Sequence, residues 1–204
     1  FLKLDEAKKT VYDKKAFCKL HGFKEERPII FFASTWSNMN TLYNAEKSII
    51  IREFCHICER NDWNLVIKKH PAEKDTFANE AVLNSSFKRV KVFEHRELPL
   101  YEALNYSDVV STQFSGVSVE ALYFKKPVLF INLNEQLNWA SLSIMKNEPY
   151  ICSLSNFKEV EQKMQTWILE KNSFDVIGDK TDGALLIFAK SFIVLSSFLI
   201  FNPS

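Results

Sequence analysis

A chain of 204 residues, 47% of them hydrophobic, is long enough to bury one sizeable core and too short for more than two small ones. Its formal charge of +1 and pI near 7.8 provide no overall field to draw in nucleic acid or an anionic membrane, so any anion has to be met by a local arrangement. Four scattered cysteines, Cys18, Cys55, Cys58 and Cys152, with no secretory pattern at the amino end, read as free thiols of a reducing compartment.

Taken in order, Lys3 to Phe23 is charged, with Val11, Phe17 and Leu20 at helical spacing and Gly22 placed to close the helix. The chain starts at Phe1 inside this pattern, so it reads as part of a longer protein. Pro28 to Ala33 is a β-branched and aromatic run, as expected of a parallel strand covered on both faces. It ends in S-T-W-S-N, which puts Ser34 and Thr35 at a strand's carboxyl end, where open α/β sheets place their ligands. Glu46 to Asn61 carries Ile49, Ile50, Phe54, Ile57 and Cys58 on one face of an amphipathic helix. C-H-I-C within it has neither the second ligand pair of a metal site nor the strand-to-helix turn of a redox site, and reads as packing.

Asn64 to Lys69 is the next strand, and it runs into His70-Pro71. The proline holds His70 extended at the strand end, where an imidazole can donate to a phosphate oxygen, with Lys68 or Lys69 adding charge. Ala72 to Leu83 reads as a helix or a loose excursion, Arg89 to Phe93 as a short strand, and Leu98 to Tyr106 as a short helix with Pro99 in its first turn.

The densest signal is D-V-V-S-T-Q-F-S-G-V-S-V-E-A-L-Y-F-K-K-P-V-L-F-I-N-L, Asp108 to Leu133. It reads as strand (Asp108 to Ser111), polar turn, helix (Val117 to Phe124) and strand (from Pro127), one parallel crossover. Its turn gathers Ser111, Thr112, Gln113, Ser115, Gly116 and Ser118 at a helix start, where free N–H groups and the helix dipole favour a phosphate. Beyond it come a strand from Pro149 to Leu154 and an amphipathic helix from Phe157 to Leu169, capped by Ser155 or Asn156. Residues 184–201 are strongly apolar yet carry Lys190 and three serines, so a buried helix, a weak membrane contact and an altered end all stay open.

The run S-x-x-x-S-G-V-S-V-E-A-L followed by K-P-V, together with K-x-H-P after an apolar strand, resembles the nucleotide-binding half of GT-B-fold bacterial surface-polysaccharide transferases of the capsule-synthesis and CDP-glycerol glycerophosphotransferase type. That resemblance implies an α/β fold: a Rossmann-like parallel sheet with helices on both faces. It divides the chain into a linker and helix joined to an amino-terminal domain (1–27), the nucleotide-binding domain (28–183) and an apolar tail (184–204). It implies that Ser115, Gly116 and Ser118 hold the donor diphosphate, that Glu120 holds the ribose hydroxyls, and that Glu94, with His95 and Arg96, lies by the base. It further implies for His70 the catalytic role of stabilising the departing phosphate, with Thr112, Ser34, Thr35 and Lys69 expected around the donor. One departure is Lys125, where the family usually has glycine before K-P-V.

The resemblance further implies a nucleotide-activated sugar or polyol as donor substrate, a glycan or glycolipid acceptor, no metal or other cofactor, no nucleic acid, and a cytoplasmic location that leaves contact with the membrane's inner face open. The general base lies in the other domain of such enzymes, so this chain alone is expected to bind donor without a complete catalytic set. A UDP-sugar 2-epimerase shares the fold but carries D-S-G-G where this chain has T-Q-F-S-G; a non-catalytic docking module is the other alternative. G-x-G-x-x-G, G-x-x-x-x-G-K-[ST] and G-x-S-x-G are all absent, which removes the main support for dinucleotide enzymes, P-loop NTPases and α/β hydrolases.

Overall fold

The computed structural model describes residues 2–10, 12–35, 41–113, 115–131, 133 and 151–170. The amino end forms two helices rather than the single one its charge pattern predicts, α1 (Leu2–Lys9) and α2 (Lys14–His21). The break is chemical: the Asp13 side chain accepts from Ala16 N at 2.8 Å and starts a new helix. Gly22 ends it in the left-handed conformation, φ 70°, as the sequence predicts.

The remaining elements alternate strand and helix. They are β1 (Ile29–Ala33), α3 (Thr41–Arg60), β2 (Asn64–Lys68), α4 (Phe77–Leu83), β3 (Val90–Phe93) and α5 (Leu100–Tyr106), followed by β4 (Val109–Thr112), α6 (Val117–Tyr123), β5 (Val128–Ile131), β6 (Ile151–Leu154) and α7 (Phe157–Leu169). Pro99 serves as the N-cap of α5, one place before the expected first turn, and Asn156 caps α7 through its side chain. All strand pairs are parallel, in the order β3-β2-β1-β4-β5-β6. The winding therefore reverses between β1 and β4, the topological switch point of a doubly wound sheet.

Alternation along the strands feeds two apolar layers. Ile30, Phe32, Leu65, Ile67, Val109 and Leu129 pack with residues of α3, α4 and α7. Ile29, Phe31, Val66, Val110, Val128 and Phe130 pack with α2, α5 and α6 on the other face. Every residue of β1, β2 and β4 is buried, which is why these segments read as unbroken apolar runs.

Lys125 adopts φ 55°, the left-handed backbone that glycine takes without penalty. The side chain is exposed, and the turn still closes, with Lys125 N and Lys126 N each 2.9 Å from Leu122 O and Ala121 O. Replacing Lys125 with glycine removes a Cβ clash while sacrificing little packing. We expect Lys125→Gly to raise unfolding stability in urea by about 1 kcal/mol. A loss of stability would show that the lysine makes an interaction worth more than its strain.

Among the described residues no helix is long and apolar enough to cross a membrane. The apolar tail, residues 184–201, lies outside the described residues.

Candidate functional site

Strand register builds the site. Phe93, Lys68, Ala33, Thr112 and Phe130 stand side by side across five strands, so the residues after them form a rim along the sheet's carboxyl edge. Ser34 N donates to Lys68 O and Lys69 N to Phe93 O, both at 2.9 Å, carrying the ladder one step past the strands. His70 and Thr35 come one residue later. With strands about 4.8 Å apart, the His70 loop and the turn after β4 are separated by roughly 10 Å, and the end of β1 lies between them. The structure thus brings His70, Ser34, Thr35 and the Ser115–Gly116 turn to one rim, around the switch point.

His70 is half-buried, and its Nδ1 accepts from Ala72 N at 3.1 Å. A neutral imidazole that accepts at Nδ1 carries its hydrogen on Nε2, which has no partner among the described residues. Burial lowers its pKa below the ordinary 6.5, with His95 and Lys47 acting in the same direction and the Glu73 carboxylate opposing them. At pH 7 His70 is accordingly a neutral donor.

In the turn between β4 and α6, Gly116 is exposed and sits in the ordinary right-handed helical region, φ −56°, so it contributes openness rather than an unusual dihedral. Ser118 is fully buried; its N–H and its hydroxyl both donate to Ser115 O, at 3.1 and 2.8 Å. Ser118 therefore closes the turn from within, and Ser115 and Gly116 are the parts of it open to a ligand. Thr112 is likewise internal. Its hydroxyl donates to Ala33 O at 2.8 Å and lies 3.2 Å from the Thr35 hydroxyl, which fastens β4 to β1 across the switch point. On α6, Glu120 Oε2 is buried with no hydrogen-bond partner among the described residues, and burial raises the carboxyl's pKa.

The two lysines expected near phosphate are engaged with the loop after β3. Lys69 Nζ donates to Glu94 Oε1 at 2.9 Å, and Lys68 Nζ donates to His95 O. Burial lowers the Lys68 pKa. Glu94 is half exposed, and its N–H donates to Glu97 Oε2 at 2.8 Å, so this loop is fixed at the edge of the rim.

Two residues that sequence reasoning missed lie directly behind His70. Glu73 Oε2 accepts from Ser34 Oγ at 2.6 Å and from His70 N at 3.2 Å. Lys47 Nζ forms ion pairs with Glu73 Oε1 at 3.0 Å and Asp75 Oδ2 at 3.3 Å. The Lys47 and Glu73 side chains are both 0% exposed. The sequence held one sign of this: Lys47 lies on the stripe of Ile50, Ile51 and Phe54, where a solvated lysine has no place. Among the described residues, no group of three or more His, Cys, Asp or Glu is arranged to hold a metal ion.

The family model for CDP-Glycerol:Poly(glycerophosphate) glycerophosphotransferase matches residues 3–136. No curated protein sequence matches the chain. Among solved structures, a glycosyltransferase from Rickettsia africae superposes with a TM-score of 0.67 at 14% identity, covering 96% of this chain and 53% of that one. UDP-GlcNAc 2-epimerase from Neisseria meningitidis bound to UDP-GlcNAc gives 0.57 at 15% identity, covering 98% and 52%. ADP-heptose lps heptosyltransferase II of E. coli gives 0.54 at 13%, covering 80% and 54%. The chain thus spans about half the length of the proteins it resembles, and the likeness is one of fold: the Rossmann-like half of a GT-B architecture.

Proposed function

The chain belongs to the CDP-glycerol glycerophosphotransferase family, and from that premise we propose that it is the donor-binding half of a transferase of surface or capsular polysaccharide synthesis, working in the cytoplasm or at the membrane's cytoplasmic face. Its donor is a nucleotide-activated polyol or sugar, of which CDP-glycerol is the member the family name points to. The observation that carries this reading is the rim itself: a neutral His70 with its Nε2 hydrogen unengaged, on the same sheet edge as the open Ser115–Gly116 turn.

In transfer from a nucleoside diphosphate donor, negative charge accumulates on the departing phosphate. Donors fixed in advance stabilise that charge without reorganising during the reaction. His70 Nε2–H is one, fixed by the bond to Nδ1, and the Ser115 hydroxyl and the Gly116 backbone N–H, at the open part of the turn before α6, supply others. Glu120 suits the sugar side, because a buried carboxylate oxygen without a partner gains when it accepts from ribose hydroxyls. No cofactor enters this scheme. The acceptor and the base that activates it belong to the part of the enzyme across the cleft, so the polypeptide by itself binds donor and completes no transfer.

Calorimetry with CDP, CMP, UDP and GDP tests this. We expect CDP to bind, and His70→Ala to weaken it by roughly ten- to a hundredfold, the range for a hydrogen bond to a charged group. If no nucleotide binds, the chain is a docking module instead. If UDP-GlcNAc binds and is converted without an acceptor, the epimerase reading replaces the transferase.

A further inference from the structure

We infer that Glu73, fixed by Lys47, is a positioning residue for His70, locking the loop that aims the imidazole along the sheet's rim. The inference rests on the donor-binding reading and names a residue that reading does not require.

The carboxylate's side chain is 0% exposed and meets a lysine buried equally deeply. Burying two charges is costly, and a pair of apolar side chains of similar volume would pack the same space at least as stably. Stability alone therefore gives no reason for an ion pair here. What a carboxylate can do, and a hydrocarbon cannot, is accept two hydrogen bonds at one oxygen. Glu73 Oε2 does so, joining Ser34 at the end of β1 to the backbone N–H of His70. Glu73 N also donates to His70 O at 2.9 Å, so a single residue holds both backbone groups of the histidine. Pro71 and Ala72 complete the loop, and Ala72 N is the donor that sets the imidazole tautomer. Lys47, reaching in from α3, balances the carboxylate's charge and holds it in place; it also binds Asp75, whose Oδ1 accepts from Phe77 N at the start of α4. Ring orientation, tautomer and strand end are thereby tied to one buried carboxylate.

The charged and titratable groups bearing on His70 are Glu73, Lys47 and His95; of these only Glu73 raises the imidazole's affinity for a proton. Removing its charge should move the histidine's titration further down.

The test uses the intact chain and two variants. Glu73→Gln keeps the shape and one acceptor but loses the charge. Lys47→Met combined with Glu73→Leu removes the ion pair as a unit, so that the fold survives while the clamp is gone. Nitrogen-15 shifts of the His70 ring report tautomer and titration without any ligand, and calorimetry with CDP reports function. We expect a single Nε2–H tautomer in the wild-type chain, a mixture of tautomers in the double variant, a lower titration midpoint in Glu73→Gln, and about tenfold weaker CDP binding in both. An unchanged tautomer in the double variant overturns the inference. So does wild-type affinity for CDP in that variant. If the wild-type chain binds no nucleotide, the donor-binding reading falls on its own, and the ring shifts alone decide whether Glu73 positions His70.

Discussion

Lys47→Ala is expected to destabilise the domain by about 3–5 kcal/mol, the cost of leaving a buried charge without its partner. Lys47 Nζ lies 3.0 Å from Glu73 Oε1, with both side chains fully out of solvent. Asp75 is partly exposed and can turn to water, but Glu73 cannot, being held by Ser34 and the His70 backbone. Truncating the lysine therefore forces Glu73 either to remain ionised in an apolar surround or to take up a proton, and both routes penalise the folded state. The double replacement Lys47→Met/Glu73→Leu should recover most of the loss. Urea denaturation of the three chains measures this directly. A cost below about 1 kcal/mol for Lys47→Ala would mean that water reaches the pair and that it is not buried as described.

Phe32→Ala should cost a similar amount, about 3–5 kcal/mol. β1 is bordered by β2 on one side and β4 on the other, and Phe32 is fully buried in the layer beneath α3, its ring 5.5 Å from that of Phe54. Truncation opens a cavity at the middle of the sheet that flanking strands, locked by ladder bonds on both sides, cannot collapse to fill. Phe32→Leu, which keeps most of the volume, should cost far less. The effect extends to the site, since Ser34 and Thr35 continue the same strand. Denaturation midpoints for the two variants give the comparison; equal costs would indicate that shape at this position matters little.

The strands and the rim on which they end were both legible in the sequence, for one reason. A parallel sheet covered on both faces needs continuous apolar runs, and its ligands gather where those runs end. I-I-F-F-A and N-L-V-I-K each stop at the polar or proline-bearing residues that form the rim. α7 was legible to the residue, Phe157 to Leu169, because Asn156 is a strong cap. α3 begins at Thr41, ahead of the apolar periodicity that first marks it at Glu46. Hydrogen-bond partners were not legible. A serine in a polar turn looks the same whether its hydroxyl faces a ligand, as an open Ser115 can, or closes the turn from inside, as Ser118 does. Lys69 looked like a phosphate contact because its pairing with Glu94 depends on β3 lying next to β2. The Glu73 clamp was hidden for the same reason: Lys47 and Glu73 meet only once α3 has packed on the sheet.

In the proposed function, the His70 loop and the turn at Gly116 grip the phosphates of one nucleotide. Following backbone amide shifts of the intact chain during a single CDP titration tests it most directly. The His70 and Gly116 signals should both move, with one shared dissociation constant. Movement at only one of them, or two unrelated affinities, would contradict it.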